Sequence, residues 1–169
     1  MNRFVFDGKQ QVRLEPFTLE DLKPGEVRVK SLYSLMSTGT ENIVFNRLFE
    51  PGSHWDKWVR YPFYPGYAVV GEVEKLGPDV KTVKVGDRVA IRASHRSHHN
   101  VGEGAVSLIP EGIPLPEAVW FAFAKIAFMG AKAAEFIIGD TSLLIGAGPI
   151  GQMAIRWARA LGVQRIQVA

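Results

Sequence analysis

Gly146, Gly148 and Gly151 fit the pattern G-x-G-x-x-G. On its own that pattern is common. Here the apolar run Thr141-Ser142-Leu143-Leu144-Ile145 leads into it, and a helix-period stripe of Ile150, Met153, Ala154, Trp157, Ala158 and Leu161 follows it. A strand, a glycine turn and a helix in this order make a phosphate-binding device. Gly146 permits the tight turn, Gly148 lets the backbone approach a pyrophosphate, and Gly151 lets helix and strand pack closely. Pro149 and Ile150 open the helix, whose free N–H groups and positive dipole end face the phosphates. The expected ligand is a dinucleotide, NAD or NADP. The acidic residue that would choose between them falls about 20 residues further on, where the sequence given ends. The bland alternative is a strand-to-helix turn that binds nothing.

The other groups able to do chemistry are fewer. Cysteine is absent, which excludes disulfides, thiolate zinc ligands and a cysteine nucleophile. His95, His98 and His99 form the one histidine cluster. No Asp or Glu lies between Arg88 and Val101, and adjacent residues on a strand point to opposite faces. No metal site is therefore expected, and the histidines read as loop and pocket-wall residues able to hold a proton near neutral pH. Trp55 and Trp58 lie in a polar, turn-rich loop. They could line a pocket for a bulky apolar substrate, together with His95 and His98; their commoner role is a plug that pins the loop.

Two unlike stretches carry these residues. Up to about Pro110 the pattern is β. Glu26-Val27-Arg28-Val29-Lys30-Ser31 and Asp87-Arg88-Val89-Ala90-Ile91-Arg92-Ala93 alternate polar and apolar residues, and Gly66–Leu76 is rich in valine. Turns at Lys23-Pro24-Gly25, Pro51-Gly52-Ser53, Gly77-Pro78-Asp79 and Gly86-Asp87 separate them, as in a barrel or sandwich. After Pro114 the pattern is helical. Ala118–Ile138 predicts a buried helix or helix pair interrupted near Gly130, and Val163–Ala169 predicts a further strand. The chain has 169 residues, 47% hydrophobic and 22% charged, as in a globular protein. A net charge of +3 with no long basic run argues against nucleic acid and membrane surfaces as partners. The start lacks the apolar core of a signal peptide, and Ala118–Ala131, broken by Lys125, is too short to span a bilayer. A cytoplasmic protein is expected.

Four blocks together resemble the medium-chain dehydrogenase/reductase family, the relatives of zinc alcohol dehydrogenase. Pro62-Phe63-Tyr64-Pro65-Gly66-Tyr67-Ala68-Val69-Val70-Gly71-Glu72-Val73 is similar to P-x-x-x-G-H-E-x-x-G-x-V. Val85-Gly86-Asp87-Arg88-Val89 matches V-G-D-R-V. Leu108–Ile113 resembles the linker into the helices, and Gly139-Asp140 with Leu143–Gly148 resembles G-D-x-V-L-V-x-G-A-G. The resemblance implies a GroES-like β-barrel domain at 1–122, a connecting helix at 123–140, and the β-α-β start of a Rossmann domain at 141–169. It further implies hydride transfer between NAD(P) and a small alcohol or carbonyl substrate, and a homodimer at full length. About half of such a protein is missing from the sequence given, so this piece is expected to be inactive alone.

The departures matter equally. Thr38 stands where the family's C-G-T-D cysteine would, and Tyr67-Ala68 replaces His-Glu. Ser94–Asn100 replaces the cysteine-rich zinc lobe. The Ser37-Thr38-Gly39-Thr40-Glu41 string resembles a zinc-free branch that includes bacteriochlorophyllide dehydrogenase-like relatives. By the same resemblance Thr40 takes the place of a proton-relay hydroxyl; equally, it could cap a short helix at Glu41–Leu48. Tyr67 would lie in the active-site cleft, either as a phenolic donor to a carbonyl or as an aromatic filling the volume of the zinc. The rival function is a noncatalytic GroES-like binding or assembly module.

Overall fold

The computed structural model describes every residue from Met1 to Ala169, in two compact units, Met1–Val119 and Trp120–Ala169. In the first unit, strands β1 (Asn2–Gly8) and β2 (Gln11–Pro16) form an antiparallel hairpin. Strands β3 (Glu26–Ser34), β4 (Val69–Leu76), β5 (Arg88–Ile91), β6 (His98–Gly102) and β7 (Val106–Leu108) form an antiparallel sheet in the order β6-β3-β4-β5-β7. Register shifts between Arg28 and Val29 and between Ser31 and Tyr33 bend this sheet on itself. Isolated bridges from Arg3 to Arg96 and from Phe6 to Phe63 tie the hairpin to it.

The alternation seen in the sequence points Val27 and Val29 of β3 into one core with Val69, Val73, Val89 and Ile91, while Lys30 stays outside. The strand expected over Gly66–Leu76 begins only at Val69. Gly66 has φ +104°, so the chain turns there before it can pair. Helices α1 (Thr40–Asn46) and α2 (His54–Trp58) close one end over a second core of Phe6, Val44 and Val59.

His99 on β6 is fully buried. Its Nδ1 accepts the Arg96 Nε–H at 2.8 Å, which places the ring hydrogen on Nε2, where nothing accepts it. Burial, reinforced by the positive charge of Arg96, holds this imidazole at a pKa of about 3. The fold keeps His99 neutral, whereas the unfolded chain protonates it below about pH 6.5. The sign follows: His99 contributes stability that is whole above pH 6.5 and is lost as the pH falls toward 3, at up to about 1.4 kcal/mol per pH unit. Denaturant titrations of wild type and His99→Leu at pH 7, 5.5 and 4.5 should show the wild type losing stability to acid faster than the variant. Parallel acid limbs would refute this.

In the second unit, β8 (Thr141–Leu144) pairs in parallel with β9 (Arg165–Val168), and α5 (Pro149–Ala160) connects them. The helical stretch differs from expectation. A single turn, α3 (Leu115–Ala118), ends the first unit, and α4 (Phe121–Ala133) runs unbroken through Gly130. Gly130 is tolerated because the ladder continues through it: Ala134 N–H donates to its carbonyl, and the buried row Phe123, Ala127, Ala131 passes beside it. Trp157 of α5 packs on Phe128 at 4.8 Å and donates its indole N–H to the Ala124 carbonyl.

Candidate active site

The polar centre of the first unit is built where β3 runs into α1. Ser37 is buried, and its Oγ accepts the Thr40 N–H at 3.2 Å. Glu41, in the first turn of α1, accepts the Ser37 N–H through Oε2. These two bonds close the turn that leads into α1, and an acid in the first turn suits the helix dipole. The second oxygen of Glu41 lies 2.7 Å from His95 Nε2, with both residues about 96% buried. His95 Nδ1 lies 2.9 Å from Ser34 Oγ. With Glu41 as a carboxylate, Nε2 carries the hydrogen and donates it, and Nδ1 accepts from the Ser34 hydroxyl.

The backbone fixes the His95 ring. His95 N–H donates to the Pro65 carbonyl at 2.7 Å, and the His95 carbonyl accepts from Phe4 N–H at 3.0 Å. Gly66 lies directly beneath: a Cβ there would stand 2.9 Å from the imidazole and 2.5 Å from the His95 nitrogen. Above the pair opens a cavity of about 400 Å³, walled by Phe4, Phe6, Met36 and Phe45 and ending in Thr38, Glu41 and His95. A largely apolar cavity with a buried acid and base at one end can bind a small, mostly apolar molecule and exchange a proton with it.

The residues singled out from the sequence are not all here. His95 is, at the polar end. Thr40 is half-buried at the start of α1; Gly39 holds the cap position and no side chain caps this end, so the capping role for Thr40 is not what the fold shows. Tyr67 is half-buried with the Arg92 guanidinium 5.7 Å from its ring centre. Neither Thr40 nor Tyr67 lines the cavity. Trp55 packs on the second core and stands 5.6 Å from Trp58, whose other edge meets Phe63 at 5.4 Å. His98 sits half-buried on β6, its Nδ1 3.0 Å from Ser97 Oγ. Glu41 is a site residue that the sequence pattern alone does not reveal. The signal was the acid four residues after Ser37, but its partner is 54 residues away.

The glycine turn takes the expected form. Gly146 has φ +99°, and its N–H donates to the Ala169 carbonyl at 2.7 Å. Gly148 is the N-cap of α5, with no side-chain cap and open space where a Cβ would be; Pro149 follows at the first position. A Cβ on Gly151 would collide with the Gly146 carbonyl. Ile150 is 38% exposed beside this open helix end. The cradle fits a phosphate group.

Residues 23–144 match the family model of the alcohol dehydrogenase GroES-like domain. The chain belongs to that family. An L-threonine 3-dehydrogenase of Anaeromyxobacter sp. is 31% identical, over 68% of this chain and 43% of its own length. The sorbitol dehydrogenase of Rattus norvegicus is 24% identical, over 97% and 53%. Among solved structures, galactitol-1-phosphate dehydrogenase from Escherichia coli superposes with a TM-score of 0.81 at 22% identity, over 99% of this chain and 55% of that one. The chain spans about half the length of these relatives. The fold is thus a GroES-like barrel followed by the opening β-α-β of a Rossmann domain.

The zinc implied by the wider resemblance finds poor donors. Thr38 is exposed, Tyr67 half-buried, and Ala68 offers nothing. Both nitrogens of His95 already face Glu41 and Ser34. Neutral hydroxyls and a committed imidazole do not fit a zinc site.

Proposed function

We propose that this chain is the substrate-binding part and the first cofactor-binding part of a zinc-independent oxidoreductase. It moves hydride between NAD or NADP and a small alcohol or carbonyl compound. The observation that carries this reading is the open Gly146–Gly151 turn at the head of α5, in a chain whose other unit belongs to an alcohol dehydrogenase family. The similarity to an isopropanol dehydrogenase described as NADP-dependent, at 28% identity, supports the cofactor class.

Gly146, Gly148 and Gly151 bring backbone N–H groups to the pyrophosphate, with Pro149 and Ile150 shaping the helix start. Bound there, the cofactor supplies or takes up the hydride. The chain's own residues do the rest. The apolar cavity takes the substrate's apolar part, and Glu41 and His95 offer an acceptor and a donor at its polar end. Outside the walls of that cavity, Thr40 would relay the alcohol proton toward the cofactor ribose, and Tyr67 would polarise the carbonyl oxygen through a phenolic hydrogen bond. The full-length protein acts as a homodimer.

The test is turnover of small secondary alcohols and ketones with NAD or NADP, on a chain of the relatives' full length, followed by nicotinamide absorbance. Activity should survive dialysis against a chelator, and elemental analysis should find no stoichiometric zinc. About one zinc per chain, removed with loss of structure, would overturn the metal-free reading. The 169-residue chain alone should bind NADPH only weakly, since it carries the phosphate turn without the later βα units. Micromolar affinity in a fluorescence titration would contradict that.

A further inference from the structure

Ser34, His95 and Glu41 lie in line: Ser34 Oγ to His95 Nδ1 at 2.9 Å, His95 Nε2 to Glu41 Oε1 at 2.7 Å. The acid is buried and locked by the Ser37 N–H, the base is buried, and the hydroxyl is exposed. That gradient is what an activated serine requires: a fixed carboxylate orients the imidazole, and the imidazole accepts the hydroxyl proton. The two ring nitrogens exchange their more usual roles, but each faces the partner its role demands.

Ser34 does not open into the apolar chamber. It opens into a separate cavity of about 280 Å³, whose lining includes His95, Arg3, Arg96 and Tyr33. Arg3 and Arg96 each engage Nε–H elsewhere, with Glu15 and His99, and bring positive charge to this cavity. The nucleophile is rigid: Ser34 pairs with Val69 in the sheet, and Leu35 N–H donates to the Ala68 carbonyl at 2.9 Å. A neighbouring group shows the contrast. Ser97 Oγ lies 3.0 Å from His98, but the acid behind it, Glu74, is 3.7 Å away with its side chain 45% exposed, and Ser97 Oγ already accepts the Asn2 N–H.

We propose that Ser34, His95 and Glu41 form an acyl-transfer site for small carboxylic esters, which opens through Ser34 into its own cavity and shares only Glu41 and His95 with the apolar one. The Ser34 oxygen bonds to the ester carbonyl carbon while its proton passes to His95 Nδ1. Arg3 and Arg96 stabilise the tetrahedral oxyanion. The carbon–alkoxy bond then breaks, and the leaving alkoxide takes the proton from His95, giving alcohol and acyl-Ser34. Water adds to the acyl group with His95 again as base, releasing the acid and restoring the hydroxyl.

The 169-residue chain contains the whole site, so the test needs no cofactor. It is treated with p-nitrophenyl acetate and, separately, with diisopropyl fluorophosphate, and the adduct is located by peptide mass spectrometry. The expected result is one p-nitrophenolate released per chain in a burst, and one phosphoryl adduct on Ser34. Ser34→Ala, at an exposed position, should abolish both. His95→Gln should slow acylation by at least about 10²-fold. Ser97→Ala should leave both unchanged. An adduct on Ser97 or elsewhere, no adduct at all, or wild-type hydrolysis by Ser34→Ala would each overturn the proposal.

Discussion

Gly66→Ala should be among the most damaging single-methyl changes in the first unit. The expected loss is about 3 kcal/mol or more of unfolding free energy, seen as a lower midpoint in denaturant with an unchanged slope. Two costs add. The backbone at φ +104° is one that L side chains rarely adopt, so any Cβ is strained there. The Cβ would also stand 2.5 Å from the His95 nitrogen and 2.9 Å from its ring, and neither can retreat cheaply. The His95 N–H is bonded to Pro65, and the ring is held between Ser34 and Glu41. If the ring moves, Glu41 is left as a buried acid without its partner, the costly way to break such a pair. The companion measurement is Gly86→Ala. That glycine also has positive φ, but open space surrounds it, so only the backbone cost remains, about 1 kcal/mol. Equal losses in the two variants would show that the His95 packing contributes nothing.

The same residue shows how far the sequence could be read. Gly66 belonged to a recognisable block, and its neighbours Val69–Leu76 formed the strand that their valines implied. Val27 and Val29 declared their face by period-two alternation, and the glycine turn by its place between an apolar run and an amphipathic helix. These are local signals. The Glu41–His95 pair is not local. Its partners come from a helix start and a loop between β5 and β6, 54 residues apart in the chain. Gly130 misled in the opposite way. Glycine weakens a helix by only about 1 kcal/mol, and a buried row of Phe123, Ala127 and Ala131 outweighs that. The hairpin β1–β2 gave weak pattern because its sides are unevenly covered: Val5 is fully buried, while Val12 and Leu14 are more than half exposed.

Thr40→Val should cut turnover by about 10²-fold or more on a chain of the relatives' full length, while leaving cofactor affinity nearly intact. Valine keeps the shape of threonine and removes only the hydroxyl's ability to donate and accept. The stability of the two proteins should be close, because no side chain caps α1 and the Thr40 N–H contact with Ser37 is made by backbone. A purely structural role would show instead as a lowered melting temperature with modest kinetic change. Tyr67→Phe separates the other pair of roles. It keeps the ring beside Arg92 and deletes the phenolic oxygen. If Tyr67 only fills volume, turnover stays near normal. If it polarises the substrate carbonyl, kcat drops with little change in melting temperature, and the loss is greater for ketone reduction at saturating substrate than for cofactor binding. Normal turnover in both variants would remove the hydroxyl-based mechanism and leave Glu41 and His95, at the polar end of the apolar cavity, as the acid–base pair.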